Sequence, residues 1–263
     1  LESATAIRMR ADVPVGAYLS GGLDSSITCA LAKPYASAGL QTFSVTFDSL
    51  EHDERIFQAE VVRDLGTSHS CVACGPNSIA AAFPFIVAAT EKPIIRTAPA
   101  PLYLLSRHVR EMGMKVVLTG EGADEVFAGY DIFKEAAVRR FCARQPASRR
   151  RPLLFSRLYP YLPRLAQQNS AYLSGFFNAL DDVGDPLFSH RPRYRNTAAA
   201  KIFFSKELRS QLEAYDATDE IVARLPADYA RWHPLHQAQY LESRFLLPDY
   251  ILSSQGDRMA MAH

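Results

Sequence analysis

The sequence predicts an α/β fold, a doubly wound parallel sheet followed by an α-rich second half, and three observations carry that prediction. Strand-like and helix-like stretches alternate across residues 15–119, short apolar or β-branched runs being separated by segments of helical period. Such alternation implies crossover helices, which make the sheet parallel and cover both its faces. Two of the strands run straight into glycine-containing loops, Ser20-Gly21-Gly22-Leu23-Asp24-Ser25-Ser26 and Gly120-Glu121-Gly122-Ala123-Asp124-Glu125. In open parallel sheets ligands sit beyond the carboxyl ends of the strands, so the two loops are expected to share one rim although nearly a hundred residues separate them.

In chain order, residues 3–10 read as a short helix that stops before Asp12 and Pro14. The apolar run Val15-Gly16-Ala17-Tyr18-Leu19 is the first strand, and Ile27-Thr28-Cys29-Ala30-Leu31 continues the helix that the first loop opens. Residues 41–47, rich in β-branched and aromatic side chains, form the second strand. Asp53 is placed to cap a helix over 54–65 that closes at Gly66, and residues 68–73 form the third strand. Residues 77–90 and 101–112 have helical patterning, and Lys115-Val116-Val117-Leu118-Thr119 is a buried type of strand. Beyond that, 153–165 reads as short helical pieces interrupted by Pro160 and Pro163, while 170–179, 205–215 and 235–247 read as helices. The organisation expected is therefore a part over residues 1–130 built on the sheet and a mainly helical part over residues 131–263.

With 263 residues and 48% hydrophobic content the chain can bury a sizeable core. A net charge of +1 gives no global argument for a nucleic-acid partner. No apolar run reaches membrane-spanning length, and no charged-then-apolar leader opens the sequence. The four cysteines, at 29, 71, 74 and 142, lack the density of a disulfide framework and suit a reducing cytoplasm. The sequence opens at Leu1 and stops at His263 within a helix-like stretch, and is expected to be a piece of a longer protein.

The first loop has the make-up of an anion cradle. Its glycines let backbone N–H groups approach an oxyanion, Ser20, Ser25 and Ser26 carry hydroxyls, and the following helix contributes its positive end. Asp24 would repel a phosphate unless a divalent cation lay between them, which makes it a candidate Mg²⁺ ligand. The plain alternative is a turn with a serine cap. The string lacks the lysine of the Walker pattern. In the second loop Glu121, Asp124 and Glu125 place three carboxylates in five residues. A solvated acidic turn is the plain alternative there; at a strand end such a cluster becomes tolerable around a cation, and Asp124 with Asp24 could complete the Mg²⁺ site.

The first loop resembles the PP-loop of ATP pyrophosphatases, enzymes of the adenine-nucleotide-hydrolase-like fold that cut ATP between its α and β phosphates. Taken together, Leu-Ser-Gly-Gly-Leu-Asp-Ser-Ser and Thr-Gly-Glu-Gly-Ala-Asp-Glu-Val-Phe-Ala-Gly-Tyr resemble the synthetase domain of the glutamine-dependent asparagine synthetases. Ile95-Arg96-Thr97-Ala98-Pro99, Tyr103-Leu104-Leu105-Ser106-Arg107 and Asp257-Arg258-Met259-Ala260-Met261-Ala262-His263 extend the resemblance over most of the chain, with little to match between residues 140 and 235. The resemblance implies attack of the aspartate side chain on the α-phosphorus of MgATP, loss of pyrophosphate, and capture of β-aspartyl-AMP by ammonia, which a glutaminase domain of the full-length chain releases from glutamine. It implies nucleotide contacts through backbone groups of Leu19 and Val45, and pyrophosphate contacts from Ser20, Gly21, Gly22, Ser25 and Ser26. Thr119 and Gly120 would lie against AMP, Asp24 and Asp124 would bind Mg²⁺, Glu121 would manage protons for the incoming ammonia, and Arg96 would bind a substrate carboxylate unless it is an ordinary surface ion pair. Family members also carry helices beyond the Met-Ala-His segment that contribute to the aspartate and nucleotide pocket.

Other features stay outside this scheme. Cys71 and Cys74, near His69, have a metal-like spacing, but a structural zinc wants four ligands and buried strand cysteines are the expected reading. Six arginines between 139 and 151, interleaved with Phe141, could touch RNA or a partner domain, although a solvated face accounts for them better. Nucleic acid is therefore not expected as a partner. The alternatives to asparagine synthesis are a PP-loop enzyme with another acceptor, whether a different carboxylate, a β-lactam or macrolactam precursor or RNA, and a nucleotide-binding module that no longer reacts.

Overall fold

A computed structural model describes residues 1–48, 54–94, 96–160 and 182–261. Contacts divide the chain into two compact units, Leu1–Ala123 with Phe245–His263, and Asp124–Arg244.

The first unit holds four parallel strands, β1 (Val15–Tyr18), β2 (Gln41–Phe47), β3 (Ser68–Cys74) and β4 (Val116–Leu118), in the order β3-β2-β1-β4. Helix α1 (Glu2–Arg8) precedes β1, and α2 (Leu23–Ala32) and α3 (Arg55–Leu65) are the next two crossovers. Helices α4 (Pro76–Thr90) and α5 (Pro99–Glu111) lie between β3 and β4. Helix α3 closes at Gly66, whose φ of 59° is the left-handed conformation a helix stop uses. The cap expected at Asp53 lies outside the described residues.

Alternation along β1 explains why both faces are covered. Ala17 and Leu19 point to one side, where Cys29, Ala32 and Leu40 pack with Val61, Val62 and Leu65. Tyr18 points to the other, joining Phe43, Leu105, Val109 and Met114. A third cluster sets Ile86 of α4 and Ala100 of α5 against Met259. The sheet is thus doubly wound, as the sequence predicts. Among the described residues no helix is long and apolar enough to cross a membrane.

The second unit is helical. It contains α6 (Asp131–Ala143), a 3₁₀ stretch Arg151–Arg157, and shorter helices Arg191–Ala198, Lys206–Gln211, Ala217–Ala223 and Pro234–Leu241. Its apolar clusters are small: Cys142, Phe155 and Leu158 form one, Ile132, Phe133 and Ala238 another. Two of the expected helices differ in extent. The one over 205–215 spans only Lys206–Gln211, and the one over 235–247 is α-helical for Pro234–Leu241 before passing into a π-helical stretch Glu242–Asp257 that contains Pro248, a residue without the N–H an α-helical ladder needs. The helix over 170–179, the end of the 153–165 pieces, Ile95 and the final Ala262-His263 fall outside the described residues. Cys74 is buried as a strand cysteine, whereas Cys71 is exposed, because β3 is an edge strand with one partner.

Candidate active site

Strand order explains why two distant loops can meet. Strand β1 is flanked by β2 on one side and by β4 on the other, the chain winding outward from β1 through β2 to β3 and then crossing back to β4, and at such a reversal of strand order a crevice opens beyond the carboxyl end of β1. The 20–26 loop springs from β1 there, and residues 119–121 follow β4. They touch. A Cβ placed on Gly120 would lie 3.2 Å from the Ser25 nitrogen and 3.3 Å from the Asp24 Cβ, which is why the second loop needs glycine at its first position.

Within the first loop, Gly21 has φ +88°, and a Cβ there would stand 2.9 Å from the backbone nitrogen of Gln58 and from the Phe57 Cβ. The serines staple the turn. Ser20 N donates to Ser25 Oγ at 3.2 Å, the two hydroxyl oxygens are 2.9 Å apart, Gly22 N donates to Ser20 Oγ at 3.2 Å, and Ser25 and Ser26 both donate to the Gly22 carbonyl. Gly22 is the N-cap of α2 and brings no side-chain cap, and the first intrahelical bond runs from Ser26 N to Gly22 O. The amides of Leu23, Asp24 and Ser25 therefore have no intrahelical acceptor and are the donors that an oxyanion at the positive end of α2 would use.

Side chains from two other elements hold the loop from behind. Leu19 N donates to Phe43 O at 2.8 Å, and the Leu19 carbonyl accepts from Ser44 Oγ. Gln58, buried in α3, sends its amide nitrogen to the carbonyls of Ser20 and Val45, at 3.4 and 3.3 Å, tying the ends of β1 and β2 together. Sequence reasoning missed Gln58 and Ser44. The available signal was a polar residue at an inward position of each element.

In the second loop Gly122 takes φ +94°, Thr119 Oγ1 accepts from the Glu121 amide at 3.4 Å, and Glu121 is exposed. Asp124 begins the other compact unit. Its carboxylate lies over Gly129, where a Cβ would come within 1.9 Å of Asp124 Oδ1, and the Gly129 amide donates to the Asp124 carbonyl at 2.9 Å. Glu125 is buried and accepts from the Tyr130 hydroxyl at 2.8 Å. Arg96 is exposed in the segment between α4 and α5, and among the described residues it forms no ion pair.

Among the described residues no three His, Cys, Asp or Glu side chains gather as a metal cage. Magnesium does not require one: it takes one or two carboxylates and completes its octahedron with phosphate oxygens and water. A half-buried Asp24 beside amides suited to phosphate fits that mode of binding.

The geometry agrees with what the chain is similar to. The family model described as asparagine synthase matches residues 1–263. The chain is 32% identical, over its whole length, to a provisionally named glutamine-hydrolysing asparagine synthetase of Mycobacterium tuberculosis, of which it spans 38%. It is 36% identical, over 52% of its length, to asparagine synthetase B of Escherichia coli, spanning 27% of that protein. The amidase chyE of Penicillium rubens is 29% identical over the whole chain, which covers 42% of it. The chain thus spans about two fifths of the relatives it matches from end to end. A parallel sheet with a glycine loop after β1, a second loop seated against it after β4, and a family match from first residue to last together make this chain a member of the asparagine synthase family.

Proposed function

We propose that this chain is the synthetase portion of a glutamine-dependent asparagine synthetase, forming the side-chain amide of aspartate at the expense of ATP. The observation that carries the reading is the seating of Gly120 against Asp24 and Ser25, which supports one triphosphate being shared by the start of the second loop and the whole of the first. Residues 1–130 would supply the nucleotide site and 131–263 the helical remainder, with a glutaminase domain of the full-length chain delivering ammonia. The setting is a cytoplasmic one.

In this scheme the first-turn amides of α2, backed by Gly21 and Gly22, take the pyrophosphate, while Ser20, Ser25 and Ser26 hold the turn in shape. Backbone groups of Leu19 and Val45 face the nucleoside, and Thr119 and Gly120 lie along its phosphate side. The aspartate carboxylate attacks the α-phosphorus, the bond to the bridging oxygen breaks, and pyrophosphate leaves onto donors already aimed at it, so little reorganisation is needed as charge develops. Asp24 and Asp124 would each be a ligand for magnesium, which would supply neutralisation of that charge. The acyl-adenylate carbonyl is then attacked by ammonia, AMP departs, and Glu121, exposed at the loop, accepts the proton the new amide sheds. Arg96, a cation without an ion-pair partner among the described residues, is suited to a substrate carboxylate.

The reading is tested by ATP–pyrophosphate exchange in the full-length protein with aspartate present. Asp24→Asn is expected to lower exchange by about a hundredfold or more, and undisturbed exchange would count decisively against the assignment. The amidase relative supports a second reading, in which the same adenylation serves a carboxylate other than aspartate. Exchange with a panel of carboxylates separates the two.

A further inference from the structure

No step of the reaction uses a row of polar side chains behind the nucleotide loop, of which Thr42 and Ser44 are buried and Thr67 and His69 half-buried. The Leu19 carbonyl, the last before the loop begins, accepts the hydroxyl proton of Ser44 at 2.5 Å. A serine has one proton, so the Ser44 oxygen can meet its other neighbour, His69 Nε2 at 3.3 Å, only by accepting from it. That makes Nε2 the protonated ring nitrogen and leaves Nδ1 an acceptor. Thr42 Oγ1 lies 3.0 Å from Nδ1, placed to donate, and 3.0 Å from Thr67 Oγ1, from which it can accept. Thr67 and His69 lie on either side of the start of β3, Thr42 and Ser44 share one face of β2, and the strand register sets Thr42 opposite His69. Thr42 and Ser44 are 0% and 2% exposed, so these hydroxyls must be satisfied inside the protein. Burial also lowers the His69 pKa from its ordinary value, against a smaller opposite pull from a hydrogen bond to the Thr42 backbone, and this favours the neutral ring.

We propose, given that the 20–26 loop holds the nucleotide, that His69 is a positioning residue for it: as the Nε2–H tautomer it keeps Ser44 on the Leu19 carbonyl and so fixes the point from which the loop springs. Thr42 Oγ1 also lies 3.5 Å from the Ser68 carbonyl, a weaker acceptor for its proton than Nδ1 at 3.0 Å, so the shorter contact to the ring sets the direction of the row. A strand end that can shift misplaces every amide beyond it, and sub-ångström placement matters for phosphoryl chemistry.

The test uses the full-length protein with four variants, His69→Leu, His69→Gln, His69→Asn and Ser44→Ala. His69→Leu and Ser44→Ala are expected to raise the KM for ATP in pyrophosphate exchange by about tenfold, the worth of one good hydrogen bond. Turnover at saturating ATP should fall as well, because the same amides receive the departing pyrophosphate, whereas the KM for the carboxylate should stay within about twofold. His69→Gln can place an amide N–H near the position of Nε2 and should restore most of the ATP affinity, whereas His69→Asn is too short to reach Ser44 and should not. An unchanged KM for ATP in His69→Leu, or His69→Gln behaving no better than His69→Leu, overturns the role. Should His69→Leu fail to fold, Ser44→Ala decides the matter, since it removes one oxygen from the row. Nitrogen-15 shifts of the imidazole and calorimetric titration with ATP separate this role from the reading it rests on. An Nε2–H ring in a wild-type protein that binds no ATP overturns both the loop's function and the role; ATP binding with an Nδ1–H ring overturns the role alone.

Discussion

Among the described residues of the unit built on the sheet, the polar side chains withdrawn from water are Thr5, Ser25, Thr42, Ser44, Gln58, Thr90 and Ser254, all of them neutral. Among the described residues of the helical unit they are Glu125, Glu135, Arg139, Ser189, His190 and Glu242, five of the six ionisable. The difference follows from how each kind of backbone is satisfied. Strand ends and the turns between strand and helix leave carbonyls and amides without ladder partners, and small hydroxyls or an amide side chain complete them, as Ser44 does for Leu19 and Gln58 for Ser20 and Val45. A helix saturates its own backbone except at its ends, so polar side chains buried between helices must largely find one another. Glu135 takes both guanidinium nitrogens of Arg193, His190 Nε2 stands 3.1 Å from Glu242, and Arg139 donates to the Phe188 carbonyl while lying over its ring at 4.1 Å. Damage to the first unit should therefore appear in nucleotide binding, and damage to the second in folding.

The largest effect is expected where that contrast is broken on the helical side. Arg193→Ala leaves Glu135, 1% exposed, as an uncompensated buried carboxylate, which costs about 3 kcal/mol or more. Urea titration should show the loss, and Arg193→Met combined with Glu135→Leu should recover most of it, because replacing both partners removes the orphaned charge. A single variant as stable as wild type would mean that the pair does not hold the helices together.

Next in size is Gly21→Ala. The left-handed φ costs an alanine about 1 kcal/mol, and the added Cβ meets the Gln58 nitrogen at 2.9 Å, a backbone atom that cannot swing aside. Stability should fall by about 2 kcal/mol while ATP–pyrophosphate exchange falls about a hundredfold, the loop being displaced together with its amides. Gly66→Ala is the control. Its φ is +59° with nothing within 4 Å, so only the conformational cost of about 1 kcal/mol applies and exchange is untouched. Smaller again is Gln58→Ala, which deletes the link between the Ser20 and Val45 carbonyls. A rise of about fivefold in the KM for ATP, with a stability change near 1 kcal/mol, is expected from kinetics and thermal melts.

The same contrast explains what could be read in advance. Glycines at 21, 22 and 120 announce themselves because backbone approach and positive φ demand one residue type, and the strands of residues 41–47 and 68–74 show their composition openly. Gly66 marked the end of α3 for the same reason. Ser44 and Gln58 were invisible because a buried polar residue takes its meaning from a carbonyl far away in sequence, 25 residues away for Ser44 and Leu19, and His69 drew notice only for its nearness to two cysteines. The helical unit resisted reading for a related reason: its pairs join Glu135 to Arg193 and His190 to Glu242 across long separations, and the sequence shows only charges that look solvated. The exposure of Cys71 was a question of edge position, which strand composition does not reveal.

The cysteines give the mildest test, and one that reports on each unit separately. Alkylation requires thiolate and access together. Cys71 is exposed, while burial pushes the Cys29 thiol up to about 11 and also raises Cys74 and Cys142. With iodoacetamide near neutral pH, Cys71 should react first in the native protein, and mass mapping of the labelled peptides should find Cys29 among the last. Cys142 packs with Phe155 and Leu158 in the helical unit, whereas Cys29 lies among Ala17, Leu19 and Ala32 against the sheet. Arg193→Ala should then accelerate labelling at Cys142 and leave Cys29 at its wild-type rate, because opening that depends on buried ion pairs exposes the helices first. Equal acceleration at both cysteines would mean that the two units open as one, and that their different ways of burying polarity do not translate into separate stabilities.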